Sequence, residues 1–352
     1  MQHAGAESSQ PVDPRRELLA GWLQGDLGCR VRSLAIASAD ASFRRYFRVI
    51  DHDGASRIVM DAPPEHEDIE PYLRIGKLLG HAGVHVPAVL ASDLGRGFLL
   101  LEDFGDRQYL AALRQGADPH RLYDDALRAL LAIQVDAQPA TAELARYDAA
   151  ALEREMQLMP QWFLQRHLDL DVTTDTAGML RAAFDFLIGE LLAQPVVFVH
   201  RDYHTRNLML LAERNPGVLD FQDALAGPIG YDPVSLLKDC YIEWPRATWL
   251  EWLARYHTAL SGCGAEAGDF PEFTRWVELA GVQRHLKVLG IFARLWHRDG
   301  KAGYLRDLPL TLRYTIDGCR RFPELGVLAD YLEQLADELP VATERALATV
   351  AQ

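Results

Sequence analysis

The feature that most limits what this chain can fold into is a change of pattern near residues 102–107. Before it, short runs of β-branched and aromatic residues alternate with turn-forming residues; after it, apolar residues recur at helical spacing over long stretches. Residues 31–36, 43–50 and 56–60 have the first character. They are separated by Asp40-Ala-Ser and Asp51-His-Asp-Gly, compositions that suit hairpin turns. Pro63 and Pro64 end this run, and residues 69–82 carry Leu73, Leu78 and Leu79 around Arg74 and Lys77, as one amphipathic helix requires. Two more strands fit residues 88–92 and 97–101, so the order is strand, strand, strand, helix, strand, strand. Beyond the change, helices are expected over 121–135, 149–167, 176–193, 249–260, 273–297 and 322–338. At the other end a polar stretch, 1–14, with Pro11 and Pro14, reads as a flexible lead into a helix over 15–24. The expectation is an α+β chain with a small antiparallel N-terminal part, 1–103, and a larger helical part, 104–352, joined by a short hinge whose cleft is a natural ligand site.

With 352 residues, each part is long enough to bury its own core. The net charge of −14 has the wrong sign for a protein that neutralises nucleic-acid phosphates, so DNA and RNA are not expected partners. The apolar runs are too short to cross a bilayer and the first residues lack a signal pattern, so a cytoplasmic protein without membrane contact is expected. Cys29, Cys240, Cys263 and Cys319 are far apart and form no CxxC pair, which reads as reduced thiols rather than a metal cage. In so acidic a chain an anionic ligand needs local cations. Arg284, His285, Lys287, Arg294 and Arg298 form one basic cluster, with several steps near one helical face, and a solvated face neutralised by acidic neighbours is the plain alternative.

The densest chemistry lies at residues 197–210, VFVHRDYHTRNLML, followed by 217–223, GVLDFQD. Apolar flanks on both sides of a polar turn suggest short strands that hold it, and a hairpin can bring Asn207 and Asp220, 13 residues apart, to one edge. A hard cation such as Mg2+ takes oxygen ligands from one or two protein groups and leaves the rest to phosphate and water, which Asn207 and Asp220 suit. Asp202, with no metal duty, is placed to orient a hydroxyl and accept its proton during phosphoryl transfer.

HxDxxxxN followed by such an Asp resembles the signature of the protein-kinase-like superfamily, and its aminoglycoside phosphotransferase branch matches best, over about residues 20 to 330. The resemblance implies a two-lobed kinase fold, ATP and Mg2+ as cofactors, a small-molecule acceptor and no obligate protein partner. It also implies that His200 supports the loop rather than reacting, and that Asp232 in 230–237, GYDPVSLL, braces it, although an N-cap alone also explains that Asp. Residues 39–48 (ADASFRRYFR), 58–64 (IVMDAPP), 83–87 (GVHVP) and 283–294 (QRHLKVLGIFAR) look most like the bacterial cell-wall amino-sugar kinases of this branch. Those enzymes phosphorylate the anomeric hydroxyl of N-acetylmuramate and N-acetylglucosamine in peptidoglycan recycling. An antibiotic kinase, or a non-catalytic pseudokinase, is the alternative.

Two departures shape the rest. The superfamily places a lysine at the end of the third strand, where this chain has Met60, so the nucleotide phosphates are expected to fall to Arg44, Arg45 or Arg48. Strand alternation puts Arg44, Tyr46 and Arg48 on one face and Phe43, Arg45 and Phe47 on the other, which leaves at least one of these arginines merely solvated. The glycine-rich loop over the phosphates is also missing; Ser42 and Phe43 stand there, in what an ordinary hairpin turn also explains. Backbone at Leu101, Glu102, Asp103 and Phe104 is the adenine candidate, and Arg284, His285, Arg294, Glu243 and Asp223 are the sugar candidates. No GxxxxGK[ST], GxSxG or HExxH occurs, which leaves P-loop, serine-hydrolase and zinc-protease chemistry without support.

Overall fold

The computed structural model describes residues 13–39 and 43–348. The chain divides into two compact units, Met1–Glu70 with Pro87–Asp103 and Pro71–Val86 with Phe104–Gln352.

In the first unit five strands form one antiparallel sheet: β1 (Val31–Ala39), β2 (Arg45–Asp51), β3 (Ser56–Asp61), β4 (Val89–Asp93) and β5 (Phe98–Glu102), in the spatial order β1-β2-β3-β5-β4. Each lies within three residues of its expected bounds, because β-branched and aromatic side chains suit a half-buried pleat. Phe47 pairs with Val59 and Val59 with Leu100, and these alternate side chains turn one face into a core with Val49 and Phe98. Helix α1 (Pro14–Gly21) covers that face with Leu19, and the π-helical turn Trp22–Asp26 adds Trp22 and Leu23. Asp13 caps α1 by accepting from the Arg16 N–H at 3.2 Å, and Pro14 takes a first-turn place where no backbone donor is needed.

Helix α2 (Glu70–His81) lies from Pro71 onward in the second unit. Its Tyr72 ring sits 4.7 Å from that of Phe221, and a Cβ at Gly76 would lie 3.2 Å from the same phenyl ring.

The rest of the second unit is mainly helical: α3 (Tyr109–Arg114), α4 (Pro119–Leu131), α5 (Ala149–Met156), α6 (Thr174–Leu192), α7 (Tyr231–Leu237), α8 (Arg246–Gly262), α9 (Phe270–His297), α10 (Leu308–Cys319), α11 (Gly326–Ala336) and α12 (Leu339–Ala348). The single helix expected over 149–167 is broken: α5 ends at Met156 and a π-helical segment, Met159–Leu168, begins with Pro160 in its first turn, where proline removes a backbone donor. Helix α9 is buried from Val277 to Gly290, so its middle is the unit's axis. Gly290 permits a close backbone approach, since a Cβ there would come within 2.3 Å of the Leu158 carbonyl carbon.

Four short strands complete the unit. β6 (Val196–Val199) pairs antiparallel with β9 (Leu225–Pro228), and β7 (Leu208–Met209) with β8 (Gly217–Val218). The strands flanking the polar turn therefore do not pair with each other; one hairpin is nested inside another pair. Among the described residues no helix is long and apolar enough to cross a membrane.

Candidate active site

The chain leaves β6 at His200 and turns sharply at Arg201, whose φ of 76° is rare for a residue with a side chain. Asp232, buried in the first turn of α7, holds that turn: its two oxygens accept the His200 N–H at 2.7 Å and the Arg201 N–H at 3.0 Å. Burial raises its pKa to about 7 against those two hydrogen bonds. His200 completes the brace. Its Nδ1 accepts the Asp202 N–H at 3.3 Å, which leaves Nε2 to donate to the Leu219 carbonyl at 3.1 Å. Burial pushes its pKa down to about 4, so the ring is neutral and structural.

The same bonds place the three acidic and amide groups together. Asn207 Nδ2 donates to the Asp202 carbonyl at 3.0 Å and lies 3.4 Å from Asp220 Oδ2, while the Leu219 N–H donates to the Asn207 carbonyl at 2.9 Å. Asp220 follows β8 rather than lying in a strand, with a left-handed φ of 60°, and its Oδ1 accepts from Gln222 Nε2 at 2.7 Å. One carboxylate and one amide carbonyl, side by side, form a donor set that fits a hard divalent cation whose other ligands come from phosphate and water. Among the described residues no group of three His, Cys, Asp or Glu could cage a metal without such help. Asp202 itself is half-buried. Burial would raise its pKa, but Lys287, His204, Arg284 and Arg201 outweigh that and hold it at about 2.

Behind Asp202 lies a buried ionic cluster that sequence reasoning did not foresee. Glu155 of α5 pairs with Arg201 and, at 3.0 Å, with Lys287 of α9; Tyr147 donates to it, as does Gln283 Nε2 at 3.3 Å. Burial opposes the Glu155 charge, yet Lys287, Arg201 and Tyr147 bring its pKa to about 2. Arg206 is held between the rings of Tyr241 and Tyr304, with its guanidinium carbon 4.8 and 5.1 Å from their centroids. Asp239 accepts from the Thr205 N–H at 2.9 Å. The turn is thus anchored at Arg201, Asp202, Thr205, Arg206 and Asn207.

The basic cluster on α9 is not a solvated face: Arg284, His285 and Lys287 are all buried, which the −14 net charge concealed. Nor is it one face. His285 points the other way, with Nε2 2.9 Å from the Lys238 carbonyl and its ring stacked on Tyr314. Arg294 lies ten residues from Arg284, about 15 Å along the helix. Arg298 pairs at the surface with Asp299 at 2.7 Å. Glu243 pairs at the surface with Arg313 at 2.7 Å, and Asp223 is exposed with its carbonyl accepting from Arg201 Nη1 at 3.2 Å.

In the first unit none of the three candidate arginines is merely solvated, and Arg44 lies just before β2. Arg45 donates to Asp61, which also binds Arg15, and to Asp13; this buried tie is structural. Arg48 grips Asp103 through Nε at 2.7 Å and Nη2 at 3.0 Å. Arg44 lies 3.9 Å from Glu67, and Phe43, exposed, stacks on His66 at 4.6 Å. Ser42 lies outside the described residues. The Glu102 N–H donates to the Ala88 carbonyl at 2.9 Å, so that donor is committed within the sheet edge. In the second unit the Phe104 ring packs edge-on to His85 at 4.7 Å and against Gly217, where a Cβ would come within 2.5 Å of it.

Residues 33–273 match the phosphotransferase enzyme family. The chain belongs to that family. As a phosphotransferase it is 49% identical over 301 residues, 85% of this chain and 87% of the other, to an N-acetylmuramate/N-acetylglucosamine kinase of Pseudomonas aeruginosa. A protein of the same name from Neisseria meningitidis is 43% identical, covering 94% of this chain and 98% of the other. Among solved structures, a choline kinase of Streptococcus pneumoniae has a TM-score of 0.59 over 87% of this phosphotransferase and 100% of that chain. At 10% identity this last likeness is one of fold, the two-lobed kinase fold.

Proposed function

We propose that this phosphotransferase transfers the γ-phosphoryl group of ATP in line to the anomeric hydroxyl of N-acetylmuramate or N-acetylglucosamine, forming the sugar 1-phosphate for peptidoglycan recycling in the cytoplasm. The observation that carries it is the Asn207 side chain bonded to the Asp202 carbonyl and facing Asp220, which sets a free carboxylate beside a divalent-cation donor pair. The names of relatives that nearly the whole chain matches support the choice of sugar.

Asn207 and Asp220 would hold Mg2+, which when bound neutralises charge on the phosphate oxygens. Asp202 orients the sugar hydroxyl and accepts its proton late, a light task because an anomeric hydroxyl is more acidic than an ordinary alcohol. No covalent enzyme intermediate is required. Arg44 and backbone at Phe43 and Asp103 in the first unit, and at Phe104 in the second, remain the candidates for nucleotide contacts, as does Ser42 from its place in the sequence. Arg48 would contribute only by loosening its hold on Asp103.

Phosphorus NMR of the enzyme with ATP, Mg2+ and either sugar should show a new sugar 1-phosphate resonance. Phosphate on another hydroxyl would overturn the anomeric assignment. Turnover of kanamycin but of neither sugar would make the chain an antibiotic kinase, and Mg2+-dependent ATP binding with no transfer to any acceptor would make it a binding module.

A further inference from the structure

Arg284 sits in the buried middle of α9, 5% exposed, and its Nε has no hydrogen-bond partner. Among the described residues its guanidinium makes no hydrogen bond or ion pair, whereas the other cations around the catalytic turn have partners, although Arg201 Nε is itself unfilled. Lys287 has Glu155 and the Tyr231 hydroxyl, Arg201 has Glu155 and the Asp223 carbonyl, and Arg206 has two aromatic rings. Burial works against the charge on Arg284, and Cys240, Tyr231, Asp202 and Asp239 nearby keep it a cation. A buried guanidinium with unfilled donors is costly unless something else fills them.

A second unfilled group belongs to the catalytic turn itself. His204, two residues past Asp202, is buried, with its pKa lowered by that burial, and turned edge-on to Tyr241 at 5.4 Å, and its Nδ1 has no partner. Arg284 and His204 are both among the charges that act on Asp202. Unfilled polar atoms from α9 and from the catalytic turn therefore belong to groups that both act on the carboxylate assigned above to the acceptor hydroxyl.

Given the amino-sugar reading above, the two acceptors differ by one formal charge. N-acetylmuramate carries a lactyl carboxylate on the C3 oxygen, and N-acetylglucosamine has a plain hydroxyl there. C3 is two ring bonds from C1, so a group that holds the carboxylate shares a pocket with the group that orients the anomeric hydroxyl. We propose that Arg284, with His204 beside it, receives the lactyl carboxylate and makes this enzyme prefer N-acetylmuramate. The guanidinium fork suits a carboxylate, and the low-dielectric site strengthens the pair.

The test compares kcat/KM for both sugars in the wild type, Arg284→Gln and Arg284→Lys, and adds the neutral lactamide of N-acetylmuramate as a third acceptor for the wild type. The N-acetylmuramate to N-acetylglucosamine ratio should fall about ten- to a hundredfold in Arg284→Gln, mostly through KM, with part of it restored by lysine. The wild type should disfavour the lactamide by a similar factor. An equal loss on both sugars would assign Arg284 to the phosphoryl group or to the loop and overturn the proposal, as would a lactamide as good as the acid. The lactamide comparison needs no variant, so a misfolded Arg284→Gln leaves the question decidable. A wild type that phosphorylates neither sugar defeats the amino-sugar reading itself; an active wild type that ignores the carboxylate defeats only this subsite.

Discussion

At Arg201 and Asp220 two residues with side chains adopt left-handed backbone, a conformation that costs on the order of 1–3 kcal/mol each and persists where surroundings enforce it. The enforcement is visible: Asp232 and Glu155 grip Arg201, and Gln222 and Asn207 flank the Asp220 carboxylate. Because the backbone of Asp202 carries the bonds to His200 and Asn207, removing its side chain leaves the turn in place. Asp202→Ala should therefore lower kcat by about a hundredfold or more while ATP affinity stays nearly unchanged, as measured by steady-state kinetics and calorimetry. Retained turnover would remove Asp202 from its role. The meeting of Asp202, Asn207 and Asp220 was legible in the sequence because their spacing is short and fixed. Glu155 and Gln283 were not assigned to the site, and Lys287 was placed only in the basic cluster of residues 284–298, since their meeting depends on two helices packing across the unit.

Helices α5 and α9 supply that meeting, and it is set by how closely α9 can approach the segment after α5. Gly290 faces the Leu158 backbone with no room for a methyl group. Gly290→Ala should then push α9 outward, lowering stability by about 1–3 kcal/mol in denaturant unfolding and reducing kcat as Lys287 and Arg284 shift. A neutral or stabilising outcome would show that the segment Met159–Leu168 yields instead. Its break was readable from Pro160, an available signal that apolar periodicity overrode. Helix α7, whose start was placed at Asp232 only by resemblance, left no periodic signal for the opposite reason: all seven of its residues are buried, so no polar face marks a helical period.

Over the whole molecule the buried histidines set the response to acid. Burial pushes His200 and His167 down to about 4, and His285 also falls. Above the ordinary histidine value of about 6.5 both states are neutral; as pH falls below it the unfolded chain takes up protons first, so stability drops until about pH 4. Asp232, raised to about 7, takes its proton first in the folded state and opposes this by a single group. Asp202 and Glu155, both near 2, extend the loss below pH 4. Thermal melts should thus show a falling Tm from pH 7 to 4; a flat or rising one would contradict this balance. By itself the sequence determined the strands, most helices and the proximity of Asp202, Asn207 and Asp220, because these follow from side-chain periodicity and short fixed spacing. Only tertiary structure decided that β6 pairs with β9 and β7 with β8, that Arg45 and Arg48 are tied to carboxylates, and that Arg284 and Lys287 are buried at Asp202. Strand pairing and the burial of a charge depend on which distant segments exclude water together, and no local pattern records that.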